Sequence, residues 1–261
     1  MDLVTIAYWG VLVIAGVACG FLNTLASSGS AITLPLMILL GFPEAAANAT
    51  NRVPVFLGTL MATIAFARKG QLDWGAAAKF SPALIVGAVS GVVFAEHLGD
   101  RAMGLSITGA VLVTLLLLFT KTKEALFRIM TDPPHVSWKA IALMVAAGFW
   151  IGWIILDGAT YLLLILMLVC SFPLAKANAL KVFLLSIGTA IGIFMFWGHG
   201  EVRWAEGIVL SIGSVAGGYL GAQASNMPQA KLWAFRVVVV VIILELINLT
   251  WHYTAPYRIA P

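Results

Sequence analysis

Long apolar runs separated by short polar breaks recur along the whole chain, near 4–26, 31–42, 52–67, 76–96, 102–120, 140–156, 159–171, 179–198, 205–223 and 232–251. The apolar positions are continuous rather than alternating, which predicts helices and not the period-two strands of a membrane barrel. A bilayer-crossing helix needs about 20 apolar residues, and most of these runs approach that length. Two fall well short, 31–42 and 159–171. At about 1.5 Å of rise per residue, each reaches only part-way across an apolar core about 30 Å thick. The first run follows Asp2 rather than basic residues, and no small-residue cleavage pattern succeeds it. It therefore reads as a membrane segment and not as a removable signal.

The two short runs hold matching places in an internal repeat. Phe42-Pro43-Glu44-Ala45-Ala46-Ala47-Asn48-Ala49 recurs as Phe172-Pro173-Leu174-Ala175-Lys176-Ala177-Asn178-Ala179, 130 residues later. The same offset carries Gly58-Thr59 onto Gly188-Thr189, Gly70 onto Gly200, Trp74 onto Trp204, Ser81 onto Ser211, and Gly87 and Gly91 onto Gly217 and Gly221. One register held through so many positions marks a duplication, the sequence signature of many membrane carriers. The predicted architecture is an all-α polytopic membrane protein of two repeats, 1–120 and 140–261, joined by a cytoplasmic loop at 121–139. Each repeat holds a broken or short-helix pair plus three transmembrane helices. The pair returns the chain to its starting side, so each repeat makes an odd number of net crossings and the two are inverted. Placing the loop inside also puts Arg68, Lys69, Lys79, Lys176, Lys181, Lys231 and Arg236 at the inner side, leaving Arg52, Arg101, Arg203 and Arg258 outside. This matches the positive-inside bias and places both termini outside.

Composition sharpens that picture. Apolar residues make up 61% of the chain and charged residues 10%, against about a quarter charged in soluble domains. No polar stretch is long enough for a soluble domain, and the net charge of +4 fits loop lysines rather than nucleic-acid binding. Cys19 and Cys170 lie in apolar runs without metal or redox spacing. No nucleophile–base pair or cluster of metal ligands is evident, so neither an enzyme nor a cofactor or metal is expected. The expected partners are a small anion and the lipid bilayer, with a homo-oligomer left open.

The candidate chemistry lies at the breaks. Asn23-Thr24-Leu25-Ala26-Ser27-Ser28-Gly29-Ser30 is a run of small and polar residues inside apolar sequence. Irregular backbone survives in a membrane only where protein buries it or water reaches it. A helix starting near Ser30 offers free N–H groups and the positive end of its dipole to an anion. Asn23, Ser27, Ser28, Gly29 and Ser30 are candidate binding residues, against a packed kink as the plain alternative. A second break, Asp157-Gly158-Ala159-Thr160, adds Gly158 and Thr160. Asp157, a carboxylate within apolar sequence, is either a proton carrier or the cap of the helix that follows. Asn48, Asn51 and Arg52 open the third run, and Asn178 and Lys181 open its repeat partner. Arg52 and Lys181 either line the cavity as oxyanion ligands or snorkel to the interface. Asn48 and Asn178 are expected as helix caps that also face the cavity. Gly87-x-x-x-Gly91 and Gly217-x-x-x-Gly221 are expected at close helix contacts, and Trp74 and Trp204 at the membrane interface.

Gly20-Phe21-Leu22 through Ser28-Gly29-Ser30, Leu34-Pro35-Leu36, Gly41-Phe42-Pro43, Ala47-Asn48-Ala49-Thr50-Asn51-Arg52 and Lys69-Gly70-x-Leu72-Asp73-Trp74 together resemble the sulfite exporter TauE/SafE family. Members often carry a glycine run where this chain has Ser27-Ser28-Gly29-Ser30. The resemblance implies a transporter of sulfur-containing anions, sulfite or organosulfonates such as sulfoacetate, in the cytoplasmic membrane. A monoanion could leave down an inside-negative potential without a coupled ion, which favours export by alternating access. An anion channel, or proton-coupled uptake of another small anion through Asp157, is the alternative, and an intramembrane enzyme or assembly partner a more distant one.

Overall fold

The computed structural model describes residues 2–117, 133–198, 200–225 and 227. Its elements are helices: α1 (Leu3–Leu25), α2 (Ser30–Leu39), α3 (Glu44–Arg68), α4 (Trp74–Glu96), α5 (Asp100–Leu117), α6 (Trp138–Trp153), α7 (Gly158–Leu164, extended by a π-helical turn, Ile165–Val169), α8 (Leu174–Gly198) and α9 (Trp204–Ala224). Among the described residues there is no strand. The last expected segment, 232–251, and most of the linker lie outside the described residues.

Four helices, α1, α4, α8 and α9, are long and apolar enough to cross a membrane. Helix α3 matches them in length but carries Asn48, Thr50, Asn51 and Arg52 in its first turns. That polar run lowered the local hydropathy and hid the helix start, which lies at Glu44 rather than near 52. Leu174 similarly opens α8 ahead of the expected 179. Asn48 and Asn178 are therefore not caps: they sit inside α3 and α8, where neighbouring helices cover them. Asp2 does cap a helix, accepting from the Thr5 backbone N–H and hydroxyl. These bonds hold its carboxyl below the usual carboxylate range.

The backbone repeats with the sequence. Shifting α3 by the repeat offset lands on both ends of α8, and α2 lands within α7 and its π turn. The positive-φ residues fall into three pairs at that same spacing, Ser27 with Asp157, Gly41 with Ser171, and Gly70 with Gly200. Three of the six are not glycines, so the left-handed turn belongs to the position and not to glycine's freedom.

Contacts give the helix directions. Gly16 and Gly20 of α1 meet Leu210 and Ser214 of α9, so α1 and α9 run parallel. Gly87 and Gly91 of α4 meet Val145 and Phe149, so α4 and α6 run parallel. Thr50 and Gly58 of α3 and Lys69 just after it meet Arg203, Ser214 and Ala222, which sets α3 parallel to α9. The five residues 69–73 span about 18 Å at most, too little to return α4 to the start of α3. Helix α4 consequently runs against α3, and α6 runs against its repeat partner α1. Each short helix folds back on its predecessor: Thr33 reaches Cys19 while Gly29 reaches Asn23, and Tyr161 meets Trp150 edge to face. The short helices are thus return arms of buried hairpins.

Close approach depends on absent side chains. A Cβ on Gly87 would stand 2.0 Å from the Val145 carbonyl oxygen, and one on Gly217 2.0 Å from that of Val17. The two repeated glycine pairs therefore let backbones touch, as their spacing predicted. Large apolar side chains point outward, including Ile14, Val86, Phe194 and Ile212. Such a surface suits lipid. Trp74 and Trp204 are exposed at helix starts, where interfacial tryptophans belong.

Candidate functional site

The two hairpin tips meet inside the molecule. The Thr160 hydroxyl, at the second tip, donates to the Ser27 carbonyl of the first at 3.3 Å. Every predicted residue of both breaks is buried, from Asn23 through Ser30 and from Asp157 through Thr160.

At the first tip α1 ends and its last carbonyls lose their helical donors. The Lys181 ammonium, from α8 of the other repeat, fills the gap. It donates to the Thr24 carbonyl at 2.9 Å, the Ser27 hydroxyl at 3.0 Å and the Asn178 amide oxygen at 3.0 Å. Those three partners use all three ammonium donors, and all are neutral oxygens. Asn23 braces the turn, its amide oxygen accepting from the Gly29 N–H at 2.9 Å. Gly29 has no alternative here, because a Cβ would stand 2.0 Å from the Cys19 carbonyl oxygen.

The second tip repeats the scheme with other residues. Helix α6 ends at Trp153, and Arg52, from α3 of the first repeat, takes its terminal carbonyls. The guanidinium donates to the carbonyls of Ile151 at 2.8 Å, Gly152 at 2.7 Å and, more weakly, Trp153 at 3.4 Å. The Asn48 amide clips the unwound strand, donating to the Trp153 carbonyl at 3.0 Å and accepting from the Ile155 N–H at 3.3 Å. Phe196 lies 4.9 Å from the guanidinium carbon. Gly192 leaves the room this needs, since its Cβ would fall 2.5 Å from Arg52 Nη1.

Each cation thus caps the negative end of a broken helix belonging to the opposite repeat, a favourable placement for positive charge. Arg52 and Lys181 are both 0% exposed, so neither snorkels to the interface. Asn51, at the repeat position of Lys181, accepts from the Thr33 hydroxyl at 2.5 Å, and its amide nitrogen makes no hydrogen bond. The Ser28 hydroxyl and Arg52 Nε are likewise buried donors without an acceptor among the described residues. Asp157 occupies the position before α7 in left-handed conformation, but its carboxylate makes no capping bond. Its backbone carbonyl takes that role, accepting from Thr160 N at 2.8 Å.

Sequence reasoning missed several participants. Thr33 was legible as a hydroxyl one turn beyond Ser30. The carbonyls of Thr24 and of 151–153, and the space left at Gly192, carry no side-chain signal. A cavity of about 400 Å³ is an apolar recess between α6 and α7 lined by Leu143, Trp150 and Tyr161. Among the described residues no group of three His, Cys, Asp or Glu could hold a metal ion.

Comparison with known proteins places the chain among transporters. The family model for the sulfite exporter TauE/SafE matches residues 12–247. The "Probable membrane transporter protein YfcA" of Escherichia coli (strain K12) is 26% identical over 234 residues, covering 88% of this chain and 86% of the relative. The "Probable membrane transporter protein ORF9" of Sinorhizobium sp is 26% identical over 256 residues, covering 95% and 94%. The "Probable membrane transporter protein YunE" of Bacillus subtilis (strain 168) is 24% identical over 267 residues, covering 91% and 96%. No solved structure matches the chain.

Proposed function

This chain belongs to the sulfite exporter TauE/SafE family of multi-pass membrane transporters, and from that premise we propose that it exports sulfite or a small organosulfonate across the cytoplasmic membrane. The two repeats sit in opposite senses in the bilayer, a reading that the opposed directions of α1 and α6 support. Substrate passes between the hairpin tips as they open alternately to the two sides.

One observation carries the anion reading. Two cations, one from each repeat, are wholly buried at the meeting tips with neutral oxygens as their hydrogen-bond partners. Burying a charge costs roughly several kcal/mol even after relaxation; the helix-end dipoles, and for Arg52 the electrostatic influence of the Glu201 carboxylate, offset part of it. A translocating anion offsets the rest. Ser28, Asn51 and Arg52 Nε, buried donors with no acceptor among the described residues, offer it hydrogen bonds. Ser27, Gly29, Ser30, Gly158 and Thr160 supply the backbone around it, with Asn23, Asn48 and Asn178 bracing the tips. Asp157 adjoins this region and would carry a proton if transport were proton-coupled. An inside-negative potential drives a monoanion outward by about 2.3 kcal/mol per 100 mV, so export needs no coupled ion.

The test is uptake into proteoliposomes of purified protein under an inside-positive potential, with sulfite and a panel of two-carbon sulfonates read by mass spectrometry. The expected result is saturable accumulation of one compound above empty liposomes. Non-saturating flux would indicate a channel, and accumulation only with a proton gradient would indicate a coupled carrier. No accumulation of any sulfur anion by folded protein would overturn the substrate class.

A further inference from the structure

A recess with a polar rim lies away from the hairpin tips, where α3 and α9 end together. It measures about 150 Å³ and is lined by Met61, Ile64, Ala65, Arg68, Lys69, Tyr219 and Gln223. Its outer end is polar and basic, and its inner end is apolar. Arg68 and Lys69 are exposed at the α3 terminus, with Tyr219 47% exposed across the groove. The Lys69 ammonium donates to the Ala222 carbonyl at 2.9 Å, which fixes its position and leaves two donors free. The Tyr219 hydroxyl and Gln223 amide extend the donor set, while Ile64, 39% exposed, continues the groove toward the apolar face.

We propose that this recess binds the phosphate of an anionic phospholipid, with an acyl chain lying along Met61 and Ile64. A cationic rim above an apolar floor, at the end of two membrane helices, matches a lipid in both halves of its chemistry. A soluble anion would use only the rim. The repeat supports the assignment: the positions matching Arg68 and Lys69 are Gly198 and His199, so the Arg-Lys pair occurs at one end of the duplicated scaffold only. Anionic lipid is concentrated in one leaflet, and juxtamembrane Lys and Arg on that side are attracted to it.

The experiment measures thermal unfolding and lipid retention in native mass spectra of the full chain in detergent, titrated separately with phosphatidylglycerol, phosphatidylcholine and inorganic phosphate. Phosphatidylglycerol is expected to raise the unfolding temperature and remain bound through mild activation, with phosphatidylcholine doing neither. In the double variant Arg68→Gln, Lys69→Gln, affinity should fall about thirtyfold, the loss expected for two basic side chains at a membrane surface. Equal effects of the two lipids, or unchanged phosphatidylglycerol affinity in the variant, would overturn the proposal. Inorganic phosphate acting as strongly as lipid, and losing its effect in the variant, would reassign the recess to a free anion. Should the double variant fail to fold, Tyr219→Phe and Arg68→Gln singly give the same readout, and no weakening in either sinks the idea. Sulfur-anion transport plays no part in the measurement, so the two proposals fail separately.

Discussion

Lys181 shows how one side chain can serve both fold and transport. Its ammonium holds the end of α1, the Ser27 hydroxyl and Asn178 at once, yet none of those partners carries charge. Replacing it by Met removes donors from three buried acceptors, each costing about 1–3 kcal/mol, but also removes the cost of burying a cation. The two effects oppose, so Lys181→Met should change the unfolding temperature modestly. Flux should respond differently, because the variant also loses the buried ammonium's coulombic attraction for the anion, about 3 kcal/mol or about a hundredfold at low substrate. Lys181→Arg, which keeps the charge but not the ammonium geometry, should retain part of the flux. Proteoliposome flux per folded molecule, measured beside thermal unfolding, separates these effects. Normal flux with a collapsed unfolding temperature would make Lys181 a structural post and nothing more.

Among elements, the glycine ridges decide which helices can touch. Gly87→Ala drives a methyl toward the Val145 carbonyl at 2.0 Å, whereas Gly109 has nothing within 4 Å of its added Cβ. Gly87→Ala should destabilise by about 1–3 kcal/mol, the range for overpacking. Gly109→Ala should be neutral or stabilising by up to about 1 kcal/mol through helix propensity. Paired unfolding titrations check this, and equal behaviour would contradict the α4–α6 contact. These ridges were legible from spacing alone, as were the repeat and the shortness of α2 and α7. The start of α3 was not legible, because Asn48, Thr50, Asn51 and Arg52 face protein and a hydropathy window cannot distinguish that from facing water. The site was legible in membership more than in wiring. Asn48 and Lys181 stood out as polar residues in apolar surroundings, but their partners are carbonyls about 105 and 157 positions away in the chain. Backbone oxygens leave no trace in a sequence.

On the scale of the whole molecule, the two repeats pack on each other more than on themselves among the described residues. Helix α1 packs on α9, α4 on α6 and α3 on α8, and each hairpin tip is capped by a cation from across the pseudo-symmetry. Neither repeat completes its own broken helix, so movement at one tip changes the hold on the other. That reciprocity requires opposite orientations in the bilayer, and α4 and α9 provide the test. Residues 97 and 227 occupy the same repeat position just beyond these helices, and both are exposed. Opposed repeats put them on opposite faces. In a background of Cys19→Ala and Cys170→Ala, His97→Cys should react with a membrane-impermeant thiol reagent added outside sealed cells. Met227→Cys should react only after the cells are opened, because the Lys and Arg bias puts its end of α9 inside. Labelling of both positions from one side would set the repeats in the same sense. The reciprocal capping would then be a packing feature with no part in alternating access.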